Sequence, residues 1–230
     1  MFPLKDDNPS SIAPAVSWTV MALCIVVFLW QVSLGSREGQ EAVYALGAIP
    51  AVLLQGAHLP PEIALVSPLA TVFTSMFMHG GWLHLIGNML YLWIFADNVE
   101  DSMGHVRFVI FYLLCGVAAV FAQALPDSGS TIPMIGASGA ISGVLGAYVL
   151  LFPHARVLVL IPIGIIVQIV RLPAWMVLGL WFALQLLQSL LTPKGVAGIA
   201  FGAHIGGFVA GMALVPLFKR RRVRLFKPQR

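Results

Sequence analysis

The sequence predicts an all-α, polytopic membrane protein in which six transmembrane helices form a bundle and both termini lie in the cytoplasm. Hydrophobic residues make up 59% of the 230 positions, charged residues make up only 10%, and the mean hydropathy is +0.92. A soluble domain carries about a quarter of its residues as Asp, Glu, Lys and Arg, so this chain has too little charge to cover a surface that faces water. Six uncharged stretches are long enough to cross hydrocarbon about 30 Å thick, and most basic residues fall on one side of the resulting topology.

The first two spans are predicted at residues 16–34 and 82–98. We interpret the first as a retained helix rather than a signal peptide, because its apolar core exceeds the usual length of about 7–15 residues and no small-residue cleavage site clearly follows. The uncharged stretch 42–61 is interrupted by glycine and proline, so it is expected to form an external loop. Gly80-Gly81 marks the start of the second span, after a loop with helical pieces at 63–79.

The remaining four spans are predicted at residues 106–125, 138–152, 173–191 and 199–218. The run 157–170 is too short to span and contains Pro162 and Gly164, so we interpret it as an interfacial or re-entrant segment. No linker separates a second domain. Residues 1–230 are therefore predicted to form one membrane domain that ends in a basic cytoplasmic tail at 219–230.

The distribution of basic residues predicts the orientation. Seven of the thirteen Lys and Arg residues lie in the tail, and a six-span topology puts four more on the same side, leaving Arg37 and Lys194 outside. Basic residues accumulate in cytoplasmic segments, so both ends are expected in the cytoplasm. The net charge of +4 is explained by this topology and by anionic lipid rather than by nucleic acid. The expected location is a bacterial cytoplasmic membrane, with the functional site toward its external side.

Polar residues inside the apolar spans form three clusters, and polar groups at such depth are costly and usually functional. The clusters are Gly136-Ala137-Ser138-Gly139 in span four, His204 in span six, and His84 with Asn88 in span two. Spans two, four and six all run from outside to inside, and each cluster lies within two turns of the outer end. The three clusters are therefore expected at similar depth.

Small residues predict close contact between spans four and six. Ser138, Ser142 and Gly146 recur every fourth residue, and His204, Gly207 and Gly211 share a helix face. Such stripes let helix backbones approach closely in lipid, and a hydroxyl beside an imidazole can form a nucleophile–base pair.

Each element also has a structural interpretation. Glycine and serine are common in packed membrane helices, an isolated histidine can bond to a neighbouring helix, and His84 with Asn88 can be a structural polar pair. Gln168, Gln185 and Gln188 are predicted to bridge helices, and the role of His79 is left open.

Together, these motifs resemble those of the rhomboid family of intramembrane serine proteases. The match comprises Gly136-Ala137-Ser138-Gly139, His204-x-x-Gly207-x-x-x-Gly211 and His79-x-x-x-x-His84-x-x-x-Asn88, and the resemblance covers residues 16–218. It implies a Ser138–His204 catalytic dyad, with His84 and Asn88 as donors of the oxyanion hole.

Two features depart from the family pattern. Many members have an aromatic residue one turn after the serine, where this chain has Ser142, and the Trp-Arg pair that some members carry in the first external loop is missing. The first departure leaves open which side chain supports His204. The second leaves open how the first external loop is anchored. No carboxylate lies in the three clusters to orient the imidazole.

The resemblance implies proteolysis of transmembrane-helix substrates, with those proteins and membrane lipid as partners and with no metal, cofactor or nucleic acid. There is no His-Glu-x-x-His motif for zinc and no Asp pair within two spans for aspartyl chemistry. The alternative from another class is a non-catalytic rhomboid-like protein that binds transmembrane helices for sorting or degradation, which would be expected to lack Ser138 or His204. A small transporter would favour midplane charges and inverted repeats, which are not seen.

Span five is predicted to be the movable wall through which a substrate enters. Substrate identity and oligomeric state are left open.

Overall fold

A computed structural model describes residues 1–163, 166–193 and 198–226. The predictions that concern Gly164, Lys194 and the end of the basic tail lie outside these ranges. The helices are α1 (Ala15–Ser33), α2 (Gly35–Leu46), α3 (Pro50–Leu54), α4 (Pro68–Thr74), α5 (Trp82–Met103), α6 (His105–Ala124), α7 (Ser138–Leu151), α8 (Ala174–Leu191) and α9 (Phe201–Phe218). The strands are β1 (Phe2–Asp6), β2 (Arg156–Ile163) and β3 (Ile166–Pro173).

Each predicted span coincides with one helix, namely α1 or one of α5 to α9. Among the described residues, four helices are long and apolar enough to cross a membrane: α1, α6, α8 and α9. Helix α7 is shorter, with 14 residues. The mean hydropathy of α5 is lowered by polar side chains that include His84, Asn88 and Asp97. The protein is thus a mostly helical membrane protein.

The fold is mostly helical, as predicted, but it is not all-α, because the chain also forms a three-stranded antiparallel sheet in the order β1-β2-β3. Strands β2 and β3 pair along their whole length, from Arg156 opposite Pro173 to Ile163 opposite Ile166. The segment interpreted as interfacial or re-entrant therefore contributes two paired antiparallel strands. Val157 and Val159 are buried while the intervening Leu158 is less so, which is the two-residue alternation of a strand that covers a core.

Helix α5 continues to Met103, five residues beyond the predicted span. Charged residues led to the earlier predicted end, but Glu100 is fully buried. Its carboxylate accepts hydrogen bonds from the backbone N–H groups of Val16 and Ser17 and lies 2.6 Å from Nδ1 of His105. Glu100 thus caps the N-terminus of α1, where a negative charge is favoured, and links α1, α5 and α6.

The external loop expected at 42–61 contains helical structure, since α2 extends to Leu46 and α3 covers Pro50–Leu54. Pro50 is the first residue of α3, a position where proline is favoured because its missing N–H needs no partner.

Glycines bring α7 and α9 into backbone contact at the centre of the bundle. A Cβ atom at Gly207 would overlap the carbonyl oxygen of Gly139, and one at Gly211 would overlap that of Gly143. Nearly every residue of α7 is buried. The close contact predicted from the small-residue stripes is present, and it involves Gly139 and Gly143 as well as the predicted Ser142 and Gly146.

Candidate active site

Ser138 is the first residue of α7, and His204 lies in the first turn of α9. The Ser138 Oγ atom is 2.8 Å from Nε2 of His204. The glycine contact between the two helices holds them close enough for this hydrogen bond. The structure thus brings together the two residues that the sequence predicts as a pair.

The other ring nitrogen of His204 is also bonded. Nδ1 lies 2.7 Å from Oε1 of Gln185, a residue of α8 whose side chain is only 8% exposed. A serine hydroxyl that donates to Nε2 requires the imidazole proton on Nδ1, and that proton is then donated to Gln185. This is the tautomer in which Nε2 can accept the serine proton.

The sequence analysis predicted Gln185 only as a bridge between helices, together with Gln168 and Gln188. Gln168 instead lies in β3, and Gln188 is exposed on α8. Helical periodicity could have singled out Gln185, because it follows Leu178 by seven residues and shares its buried face.

An aromatic side chain from α8 lies beside the imidazole. The Trp181 ring is tilted by 33° to that of His204, with ring centroids 5.8 Å apart. The hydroxyl of Ser142, at the position where many family members have an aromatic residue, donates to the Ser138 carbonyl at 2.6 Å. Ring contact with His204 therefore comes from α8 rather than from α7.

His84 lies beside Ser138. The backbone N–H of Gly80 donates to Nδ1 of His84 at 3.3 Å, which leaves Nε2 to carry the ring proton. A Cβ atom at Gly136 would lie 2.7 Å from this Nε2 and 3.6 Å from Ser138 Oγ. Gly136 has a φ of +126°, which only glycine adopts readily. Gly136 thus permits both the backbone turn into α7 and the close approach of His84.

Asn88 lies one helical turn after His84, and its Nδ2 is buried with no hydrogen-bond partner among the described residues. Buried polar groups are nearly always paired, so an unpaired donor calls for an explanation. His84 and Asn88 lie one helical turn apart on α5, and each carries a side-chain N–H donor.

His79 supports His84 and does not contact the serine. Its backbone N–H and carbonyl are both bound by the side chain of Gln31 in α1, at 3.0 and 3.2 Å. Its ring packs edge-on against that of His84, with centroids 5.1 Å apart. A cavity of about 30 Å³ adjoins Ser138 and is lined mainly by small residues, which is enough space for a water molecule.

The fold and the site define a helical membrane protein in which a serine hydroxyl meets an imidazole inside an apolar bundle. The family model of the rhomboid domain matches residues 67–221. The chain belongs to the rhomboid family.

Three relatives illustrate the match. The chain is 29% identical over 203 residues to the yeast protein named rhomboid protein 1, mitochondrial, covering 85% of this chain and 51% of the relative. It is 28% identical over 221 residues to a zebrafish presenilin-associated rhomboid-like protein, also mitochondrial, covering 84% and 53%. It is 31% identical over 201 residues to the rhomboid protease GluP of Bacillus subtilis, covering 86% and 34%.

The chain spans about half the length, or less, of these relatives. Their names give both mitochondrial and bacterial sources, so they do not support the expected bacterial cytoplasmic membrane.

Proposed function

We propose that this protein is an intramembrane serine endopeptidase that cleaves peptide bonds in or near the transmembrane helices of membrane proteins. The observation that carries the proposal is the 2.8 Å contact between Ser138 Oγ and His204 Nε2. The naming of a Bacillus subtilis relative as a protease supports it at the level of the family.

In the proposed reaction, His204 takes the Ser138 proton as the oxygen attacks the substrate carbonyl. His204 then gives this proton to the leaving amine, and an acyl-enzyme remains on Ser138. A water molecule activated by His204 hydrolyses the ester and restores the serine. Negative charge that develops on the carbonyl oxygen is stabilised by His84 Nε2–H, Asn88 Nδ2–H and the backbone N–H of Ser138. That backbone N–H belongs to the first turn of α7, where it has no partner within the helix.

The proposed topology takes α1 and α5 to α9 as the six spans of a single domain. Ser138, His204 and His84 lie near the starts of α7, α9 and α5, whereas Arg220 of the tail contacts Asp101 near the end of α5. The proposed topology therefore assigns the site and the tail to opposite membrane faces, and both termini to the tail face. Labelling of single cysteines from either side of sealed vesicles tests this: reagent reaching the tail and the 55–60 segment from the same side would contradict it.

The proposed activity is tested with purified full-length protein and a transmembrane-helix substrate in detergent. We expect cleavage by the wild type and none by S138A or H204A, and a fluorophosphonate should label Ser138 alone. A non-catalytic helix-binding protein would bind this substrate without cutting it. Cleavage by S138A at the wild-type rate, or none by the wild type, would contradict the proposal.

A further inference from the structure

Gln185 is an uncommon residue for its place in the fold. The buried residues of α8 are Ala174, Val177, Leu178 and Gln185, so the glutamine is the polar member of an otherwise apolar face. A polar side chain at membrane depth is costly unless it is hydrogen-bonded. Oε1 of Gln185 meets this requirement through Nδ1 of His204, at 2.7 Å.

The amide orientation determines what His204 can do. If the NH₂ group faced the imidazole, Nδ1 would accept, the ring proton would move to Nε2, and Ser138 would have no acceptor for its hydroxyl proton. With Oε1 facing the ring, Nδ1–H is donated to the amide and Nε2 is free to accept. The 2.8 Å contact between Ser138 and His204 can then work as a nucleophile–base pair.

A neutral amide suits this environment better than a carboxylate. In soluble serine proteases a buried aspartate holds the imidazole, but a buried charge in hydrocarbon carries a large desolvation cost. The described side chains hydrogen-bonded to His204 or in ring contact with it are Ser138, Gln185, Trp181 and Phe201, and none is acidic.

We propose that Gln185 is a positioning residue that fixes the tautomer and orientation of His204 from α8. This inference rests on the proposed function of the Ser138–His204 pair. Because Gln185 lies on a different helix from both Ser138 and His204, displacement of α8 would separate the amide from Nδ1 and leave the base unoriented.

The kinetic test compares Q185M with Q188M in purified full-length protein. Methionine keeps the length of glutamine but offers no strong acceptor, and Gln188 is an exposed glutamine on the same helix. We expect Q185M to lower kcat at least tenfold with KM within twofold. This is a smaller loss than the roughly 10⁴-fold loss in a soluble protease whose triad aspartate is changed to asparagine. Q188M should match the wild type, and Q185E, which restores an acceptor, should recover activity relative to Q185M.

A spectroscopic test does not depend on activity. In protein labelled with ¹⁵N-histidine, the Nδ1–H proton of His204 should give a slowly exchanging signal that disappears in H204A. The signal should persist in Q188M and disappear in Q185M. A signal unchanged in Q185M, or a kcat of Q185M within twofold of that of Q188M, would overturn the role of Gln185 while leaving the proposed protease activity intact. Failure of the wild type to cleave any substrate would instead refute the proposed function.

Discussion

The imidazole of His204 is held on both ring nitrogens and on one face. Ser138 and Gln185 occupy the nitrogens at 2.8 and 2.7 Å, and Trp181 lies alongside the ring. Contacts in three directions leave the ring little rotational freedom. If His204 is the base, as proposed, it does not have to be oriented when the substrate binds, and such preorganisation favours reaction.

His84 and Asn88, the proposed oxyanion donors, give a prediction at the scale of single residues. We expect H84A and N88A each to lower kcat by about 10²–10³, the usual loss for one such donor, because the bond tightens only in the transition state. KM should change little. Steady-state kinetics on a transmembrane-helix substrate measures both constants.

His58 offers the control for these variants, because it is exposed in the loop after α3. H58A should retain wild-type kinetics. If H84A and N88A raised KM at unchanged kcat, the two residues would serve binding or structure instead.

The pairing of Ser138 with His204 was predictable, because helices that run in the same direction place their first turns at one depth. The hydrogen bond between His204 and Gln185 could not be predicted. It depends on how α8 is rotated about its axis and on which end of the amide faces the ring, and neither property is encoded in local spacing.

At the scale of elements, the contact between α7 and α9 depends on the absence of side chains. G207A should destabilise the protein by about 1–3 kcal/mol, because the added methyl overlaps the Gly139 carbonyl oxygen and the helices must move apart. It should also lower activity by lengthening the Ser138–His204 contact. Thermal unfolding in detergent and cleavage assays measure the two effects.

Gly179 of α8 is the matched control, since a Cβ atom there would meet nothing within 4 Å. G179A should be neutral or slightly stabilising, because alanine is the better helix former. Equal losses in G179A and G207A would show that the effect does not come from backbone contact.

Helix α8 packs on α9 largely through aromatic rings. Phe182 stacks on Phe208 with centroids 4.5 Å apart. If α8 is the wall that a substrate displaces, F182A should raise the cleavage rate a few-fold by loosening this contact. W181A is a poorer test, because Trp181 also contacts His204. A cleavage rate for F182A at or below that of the wild type would argue against entry past α8.

The apolar helices could be predicted closely, since hydrophobic length limits where a span begins and ends. The pairing of β1 with β2 could not, because these strands come from residues 2–6 and 156–163, far apart in sequence. Strands β2 and β3 are neighbours in sequence, but their apolar run was interpreted as an interfacial or re-entrant segment. The end of α5 was also missed, since the carboxylate of Glu100 is hydrogen-bonded to the backbone of α1, a contact that no local pattern shows.

At the scale of the whole molecule, β1 ties the N-terminus to the bundle. The Tyr148 hydroxyl of α7 donates to Oδ2 of Asp6. Burial raises the pKa of Asp6 from 3.8 to about 6. An acid whose pKa is raised by folding binds its proton more tightly in the native state, so its stabilisation is complete below about pH 4 and is lost as the pH rises through 6.

We therefore expect D6N, which keeps this position uncharged, to have a higher Tm than the wild type. The Tm difference should be larger at pH 7.5 than at pH 4.5. Thermal unfolding in detergent at both pH values measures the difference, and D7N is the comparison because Asp7 is the adjacent carboxylate. The same Tm difference between D6N and wild type at both pH values would show that Asp6 does not titrate in this range.

The segment between α7 and β2 gives α8 one fixed end. The backbone N–H groups of Ala174 and Trp175 donate to the carbonyls of Ala155 and Pro153, and Ala174 is fully buried. At 1.5 Å per residue, α8 is about 27 Å long, and Gln185 lies about 16 Å from this fixed end. A tilt of about 10° would swing Gln185 by roughly 3 Å, more than a hydrogen bond tolerates. If α8 tilts to admit a substrate, as proposed, the hydrogen bond between Gln185 and His204 would break during entry and form again when the helix returns.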